Sequence, residues 1–344
     1  MQTKIYVMTH IDFTPPPDAM YVPLDVKTTV GEHIAEKNCY YSELTGLYWV
    51  WKNVSDLDYV GICHYRRYLL NDDGDLFKQA EIEEILQKND MIVTKNLQLN
   101  YTYYDGFGEN HKPYYLDETQ KVIADLFPDY LEDYISLVHQ KHTYFGNMMI
   151  CSCALFDEYM SWLFAILEEL ERRITIEEED SYHRRIFGFI SEFLLYLYVK
   201  HHQLRVKECM VGIVGAKAET KEIKKQLADY LLKQDVEGAR QFFLEAKARR
   251  PDILMEASDI GGELHRCMEV IAICDLQQEH GQPVLLETIS DFGELMRFCK
   301  ILNEYMVQFL QGERQEEFQR WQEENLVPPE AVYVAKCMYD NKDH

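Results

Sequence analysis

The amino-acid sequence predicts an α/β sandwich over residues 1–214, with a mostly parallel sheet, followed by an all-α extension over residues 215–344. Three observations carry this reading. Short apolar runs rich in β-favouring residues alternate with helical periodicity through the first region. Twenty of the 24 tyrosines and three of the four tryptophans fall in that region, so the composition breaks where the pattern does. From Ala216 onward, segments such as KEIKKQLADYLLKQ, EGARQFFLEAKARR and ELMRFCKILNEYMVQFLQ keep a helical period almost throughout.

The predicted strands are Lys4 to His10, Asp58 to Tyr65, Asp90 to Lys95, Asn147 to Leu155 and Leu204 to Val214. Between the first two, SELTGLYWVWKN places Leu44, Leu47, Tyr48 and Trp51 at i, i+3, i+4 and i+7, a helix that Ser42 is expected to cap, with Glu43 favoured by the dipole of its first turn. After the fourth strand, Phe156, Tyr159, Leu163, Ile166, Leu167 and Leu170 share one helical face. In such an α/β arrangement the ligand belongs at the carboxyl ends of the strands.

The chain of 344 residues carries a net charge of −24, and both regions are acidic, which excludes a non-specific nucleic-acid binder. A content of 47% hydrophobic and 13% aromatic residues excludes global disorder. Nine scattered cysteines and an N-terminus without a basic-then-apolar leader point to a reducing, cytoplasmic setting, and no stretch reaches about 18 apolar residues. GxGxxG, GxxxxGK[ST], GxSxG, HExxH and paired CxxC signatures are absent, so Rossmann redox chemistry, P-loop hydrolysis and zinc hydrolysis lose support.

The densest candidate for chemistry is GICHYRRY, Gly61 to Tyr68, at a predicted strand end. There His64, Arg66 and Arg67 can grip a diphosphate, because the guanidinium fork donates two hydrogen bonds to phosphate oxygens and stays charged. Downstream, Asp73 and Asp75 of NDDGD form an Asp-x-Asp pair of the kind that holds Mg²⁺ or Mn²⁺ against a nucleotide diphosphate, although the same composition makes an ordinary acidic turn. The tyrosine-rich stretch 101–115 reads as a loop over a sugar, with Asp105 and Glu109 as candidate general bases. Glu192 is the third candidate: a carboxylate inside GFISEFLLYLYV must be paired, with Arg184 and Arg185 as the nearby structural partners, or functional. Asn147, after the aromatic-glycine turn YFG, either reads a ligand or shapes the turn.

The ordered set NCYYSELTGLYWVWKN (38–53), YVGICHYRRYL (59–69), YFGNMMI followed after five residues by FDEYMSWLF (144–164), and RIFGFISEFLLYLYV (185–199) resembles the domain of bacterial capsular and exopolysaccharide biosynthesis proteins, members of which are described as glycosyltransferases and long carried as a domain of unknown function. The resemblance covers roughly residues 1–212. It implies a nucleotide-sugar domain of glycosyltransferase A type, which moves a hexose from a nucleotide diphosphate sugar to a hydroxyl of a saccharide or lipid-linked acceptor at the inner face of the membrane. It further implies donor-binding roles for Asn38, Glu43, His64, Arg66, Arg67 and Asn147, and catalytic or acceptor roles for Asp105 and Glu192. In that fold an Asp-x-Asp usually follows a central strand. Here HYRRY stands at the strand end and Asp73 and Asp75 come later, so either the arginines or a cation on these aspartates neutralise the leaving diphosphate. The helical extension is read as a surface for peripheral membrane or partner-enzyme association. The competing readings are a non-catalytic carbohydrate- or nucleotide-binding module and, behind it, a metal-dependent phosphohydrolase.

Overall fold

The protein is represented by a computed structural model that describes residues 1–176, 179–215, 218–254 and 258–340. The chain packs as two units, Met1–Val214 and Gly215–His344.

The first unit begins with β1 (Thr3–Met8), β2 (Tyr21–Leu24), α1 (Asn38–Tyr41) and α2 (Leu44–Asn53), and continues with β3 (Tyr59–His64), β4 (Arg67–Leu69), α3 (Gln79–Leu86), β5 (Met91–Thr94) and β6 (Leu97–Gln98). Then come α4 (Tyr103–Asn110), α5 (Tyr114–Leu126), α6 (Leu131–Val138), β7 (His142–Thr143), β8 (Met149–Ser152), α7 (Cys153–Arg173), α8 (Ile186–His201), β9 (Val206–Cys209) and β10 (Val211–Ile213). The central sheet is mixed. β1 pairs in parallel with β2 and β3, and β5 with β9, while β8 lies antiparallel between β3 and β5. The single run expected at Leu204 to Val214 is therefore two strands with different partners, since β10 pairs antiparallel with β4.

Alternation along the central strands buries both faces of the sheet. Val60, Ile62, Met91, Val93, Met149 and Cys151 join one cluster with α2, α5, α7 and α8. The intervening Cys63, Ile92 and Ile150 join another with Ile5, Val7 and Ile82. All six residues assigned from periodicity to the face of α7 are buried, and Ser152 caps that helix by accepting from Leu155 N–H at 3.2 Å. α8 is buried nearly all round, as a helix apolar on every face must be. β2 escapes the sequence reading because it is a four-residue edge strand carrying Pro23, which cannot donate to a ladder.

The second unit is helical among its described residues: α9 (Ala218–Leu232), α10 (Val236–Arg249), α11 (Glu263–Glu279), α12 (Leu285–Thr288), α13 (Phe292–Leu310), α14 (Gln315–Glu324) and α15 (Pro329–Asp340). Ala216, where the helical period starts in the sequence, lies outside the described residues. Leu227, Val270, Leu302 and their neighbours form this unit's own core, while the two clusters of the first unit draw only on residues up to Val211. A chain ending at Gly215 is therefore expected to fold alone. Cooperative thermal unfolding by circular dichroism checks this, and a product without a transition refutes it.

No helix among the described residues is long and apolar enough to cross a membrane.

Candidate active site

The parallel pairing of β1 with β2 and β3 sets the site. Met8 stands in register with both Leu24 and His64, so three strand ends meet along one edge. They open into a cleft whose walls include Thr9 and His10 after β1, Asp25 and Lys27 after β2, His64 at the end of β3 with Tyr65 after it, and Asn38, Ser42, Glu43 and Thr45 from the α1–α2 corner. The helix start comes this close because residue 46 is glycine: a Cβ there would lie 2.1 Å from the Met8 sulfur.

The corner itself is strained. Ser42 ends α1 with φ 51° and ψ −128° instead of capping α2, and its hydroxyl accepts from Arg185 Nε at 2.8 Å. Its carbonyl accepts from Asn38 Nδ2 at 3.0 Å and Thr45 Oγ1 at 2.9 Å, so Asn38 holds the corner. Asn147 also adopts a positive φ, 48°. Two non-glycine residues held in the left-handed region beside one cleft mark a place where surrounding packing overrides local preference.

Behind the cleft wall the polar groups interlock. Asn147 donates from Nδ2 to Glu43 Oε1 at 2.8 Å and to the Gly188 carbonyl at 3.2 Å. Gly146, whose φ of 98° suits glycine, donates its N–H to Glu192 Oε1 at 2.8 Å. Burial, reinforced by the Glu43 charge, pushes Glu192 up to about 8, against the lowering effects of Gly146, Arg67 and Arg185. Burial likewise lowers His64 below its ordinary value, with Arg67 and Arg185 adding to the effect and Glu43 and Gly146 opposing it. His64 Nε2 and Asn147 Oδ1 are buried without a hydrogen-bond partner.

The fold thus brings together Asn38, Glu43, His64, Arg67, Asn147 and Glu192. Arg66 lies 6.0 Å from the Tyr65 ring centroid. The expected arginine partners of Glu192 are placed differently: Arg184 donates to the Glu179 carbonyl and Arg185 to Ser42, while Gly146 supplies the hydrogen bond.

Asp105 and Glu109 are not in a loop. They lie on α4, where Thr102 caps the helix by accepting from Asp105 N–H and donates its hydroxyl to Asp105 Oδ2 at 2.7 Å. α4 reaches the site through Tyr103, which stacks on Phe193 at 4.6 Å and is raised by burial and by the Glu192 charge. Asp73 and Asp75 are exposed in a turn organised by Asn71, whose Oδ1 accepts from both of their backbone amides. Among the described residues no group of three or more His, Cys, Asp or Glu side chains is arranged to hold a metal ion. Two exposed carboxylates do not by themselves make a cation site.

Thr9 and His10 are missed by the sequence reading, although their place at the carboxyl end of the predicted strand Lys4 to His10 is the available signal. Asp25 and Lys27 follow a strand that periodicity does not reveal, and Gly146 acts through its backbone alone.

The fold is glycosyltransferase-like. It is similar to the apo structure of the bifunctional glycosyltransferase WbbM, with 25% identity and a TM-score of 0.55, over 62% of this chain and 46% of that one. The chain thus spans about half the length of that neighbour. Residues 4–203 match the family described as a domain of unknown function (DUF4422), and the chain belongs to that family. No curated protein matches it.

Proposed function

We propose that the protein transfers a hexose from a nucleotide diphosphate sugar to a hydroxyl of a polysaccharide or lipid-linked oligosaccharide, in capsule or exopolysaccharide synthesis at the cytoplasmic face of the membrane. The observation that carries this reading is the cleft where three parallel strand ends meet, with His64 on its wall and Arg66 and Arg67 in the residues that follow. A leaving diphosphate gains negative charge as the glycosidic bond breaks, and fixed cations lower that barrier most directly. Neutralisation falls to Arg66 and Arg67; were Mg²⁺ or Mn²⁺ to bind, Asp73 and Asp75 are the residues that would hold it, and it would supply the same charge. The helical unit supplies the surface for the acceptor, a partner enzyme or the membrane.

Calorimetry and thermal shift against UDP, GDP, CMP, dTDP and their sugar conjugates, each with Mn²⁺ and with EDTA, test the reading. Stabilisation by one nucleotide family supports it. Undiminished binding and turnover in EDTA assign the charge to the arginines. Binding without turnover against any acceptor leaves a binding module, and silence across the panel sinks the donor assignment.

Arg67→Ala is expected to weaken nucleotide diphosphate binding by roughly 10- to 150-fold, the equivalent of about 1.5–3 kcal/mol for one charge-assisted hydrogen bond. An unchanged Kd in calorimetry, with an unchanged melting temperature, removes Arg67 from the clamp.

A further inference from the structure

We infer that His64 Nε2 is the general base that takes the proton from the acceptor hydroxyl. The inference rests on the transferase reading above and assigns the proton step within that site. Three geometric facts support it. His64 lines the cleft, as does Glu43, whereas Glu192 and Asn147 are not among the residues of its walls. Nε2 is the ring nitrogen without a hydrogen-bond partner, so in the tautomer with hydrogen on Nδ1 its lone pair is free to accept. An unpartnered acceptor buried in a cleft wall is costly unless a ligand supplies the donor.

The other candidates fit the step less well. Glu192, titrating at about 8, holds its proton at neutral pH. The Asp105 carboxylate accepts from the hydroxyl of the capping Thr102, and Glu109 is exposed near the end of α4. Burial keeps His64 neutral, so the accepting form is the one present at pH 7. The charged and titratable groups around the ring are Glu43 from the α1–α2 corner, Arg67 on β4 and Arg185 before α8, with Glu192 of α8 joined through Gly146.

In the step, the acceptor oxygen bonds to the anomeric carbon as the bond from that carbon to the diphosphate oxygen breaks. The electron pair of the broken bond leaves with the diphosphate. The hydroxyl proton passes to Nε2, and the imidazolium so formed is balanced by the Glu43 carboxylate until the proton returns to water through the cleft. A single displacement of this kind inverts the anomeric centre.

The test combines kinetics with a readout that needs no turnover. His64→Gln is expected to lower kcat by about 10²–10⁴-fold while nucleotide diphosphate affinity stays within threefold. The parent's kcat/KM should fall on the acid side with a pKa below that of free histidine, a limb that the variant lacks, and imidazole should partly restore His64→Ala. A His64→Gln enzyme with kcat within threefold of the parent overturns the assignment. Nitrogen-15 NMR of the full chain decides independently: a neutral His64 with an unprotonated Nε2 supports the proposal, and a proton on Nε2 at pH 7 overturns it. Absence of nucleotide binding by the parent sinks the transferase reading, with the NMR result still deciding the tautomer.

Discussion

Glu192→Gln is expected to remove most of the pH dependence of the first unit's stability between pH 5 and 8. A carboxyl raised to about 8 in the folded state, against a value near 4.5 when unfolded, binds its proton more tightly in the native chain. Its contribution is fully present below the unfolded value and is lost as pH rises through the folded one. At about 1.4 kcal/mol per pH unit the loss is of order 4 kcal/mol at pH 8.5. Glutamine keeps the size of the side chain and an oxygen to accept from Gly146 N–H, but has no charge to bury beside Glu43. The variant's melting temperature should therefore match the parent's near pH 5 and exceed it by roughly 10 °C at pH 8.5, taking about 2–4 °C per kcal/mol for a unit of this size. Calorimetric scans at the two pH values decide it. Parallel curves would show that the carboxyl ionises freely in the folded chain.

Much of this architecture was legible because the core is built by pattern. Strands such as DMIVTK and NMMICSC are apolar runs buried on both faces, and the stripe of α7 from Phe156 to Leu170 has no other way to be satisfied than by packing. The stretch 101–115 misled for an equally physical reason. Gly106 and Gly108 lower its helix propensity, yet Tyr103 and Phe107 are buried, Tyr103 against Phe193, and Thr102 caps it, so tertiary packing outweighs composition. The cap was visible as Thr-x-x-Asp, the same Asp105 that was read as a base. In the site, Glu192 announced itself as a lone carboxylate in an apolar helix. Its neighbours did not, because Asn147 meets Glu43 across 104 residues through sheet register and a backbone turn, neither of which leaves a local trace.

That contact also carries the largest structural penalty expected in the site. Asn147 is 1% exposed, and its amide is the donor to both Glu43 and the Gly188 carbonyl. Asn147→Asp preserves side-chain shape and the tolerance of a left-handed φ, so the backbone is not the variable. What changes is that both hydrogen-bond donors vanish and a second carboxylate is placed beside Glu43 in a buried setting. Losing both donated hydrogen bonds and placing a like charge next to Glu43 should cost about 3–5 kcal/mol. The sign with pH follows from the same chemistry. At pH 5 the introduced carboxyl, raised by burial and by Glu43, retains its proton and can donate again, so the deficit shrinks; at pH 8 its ionised form has nothing to donate and the deficit is greatest. Denaturant midpoints at pH 5 and pH 8 measure both. A deficit below about 0.5 kcal/mol at pH 8, within the range of an ordinary surface change, would mean that the Asn147 bridge does not hold Glu43 in place. A deficit that shrinks as the pH rises would mean that the introduced carboxyl is not forced against Glu43 at all.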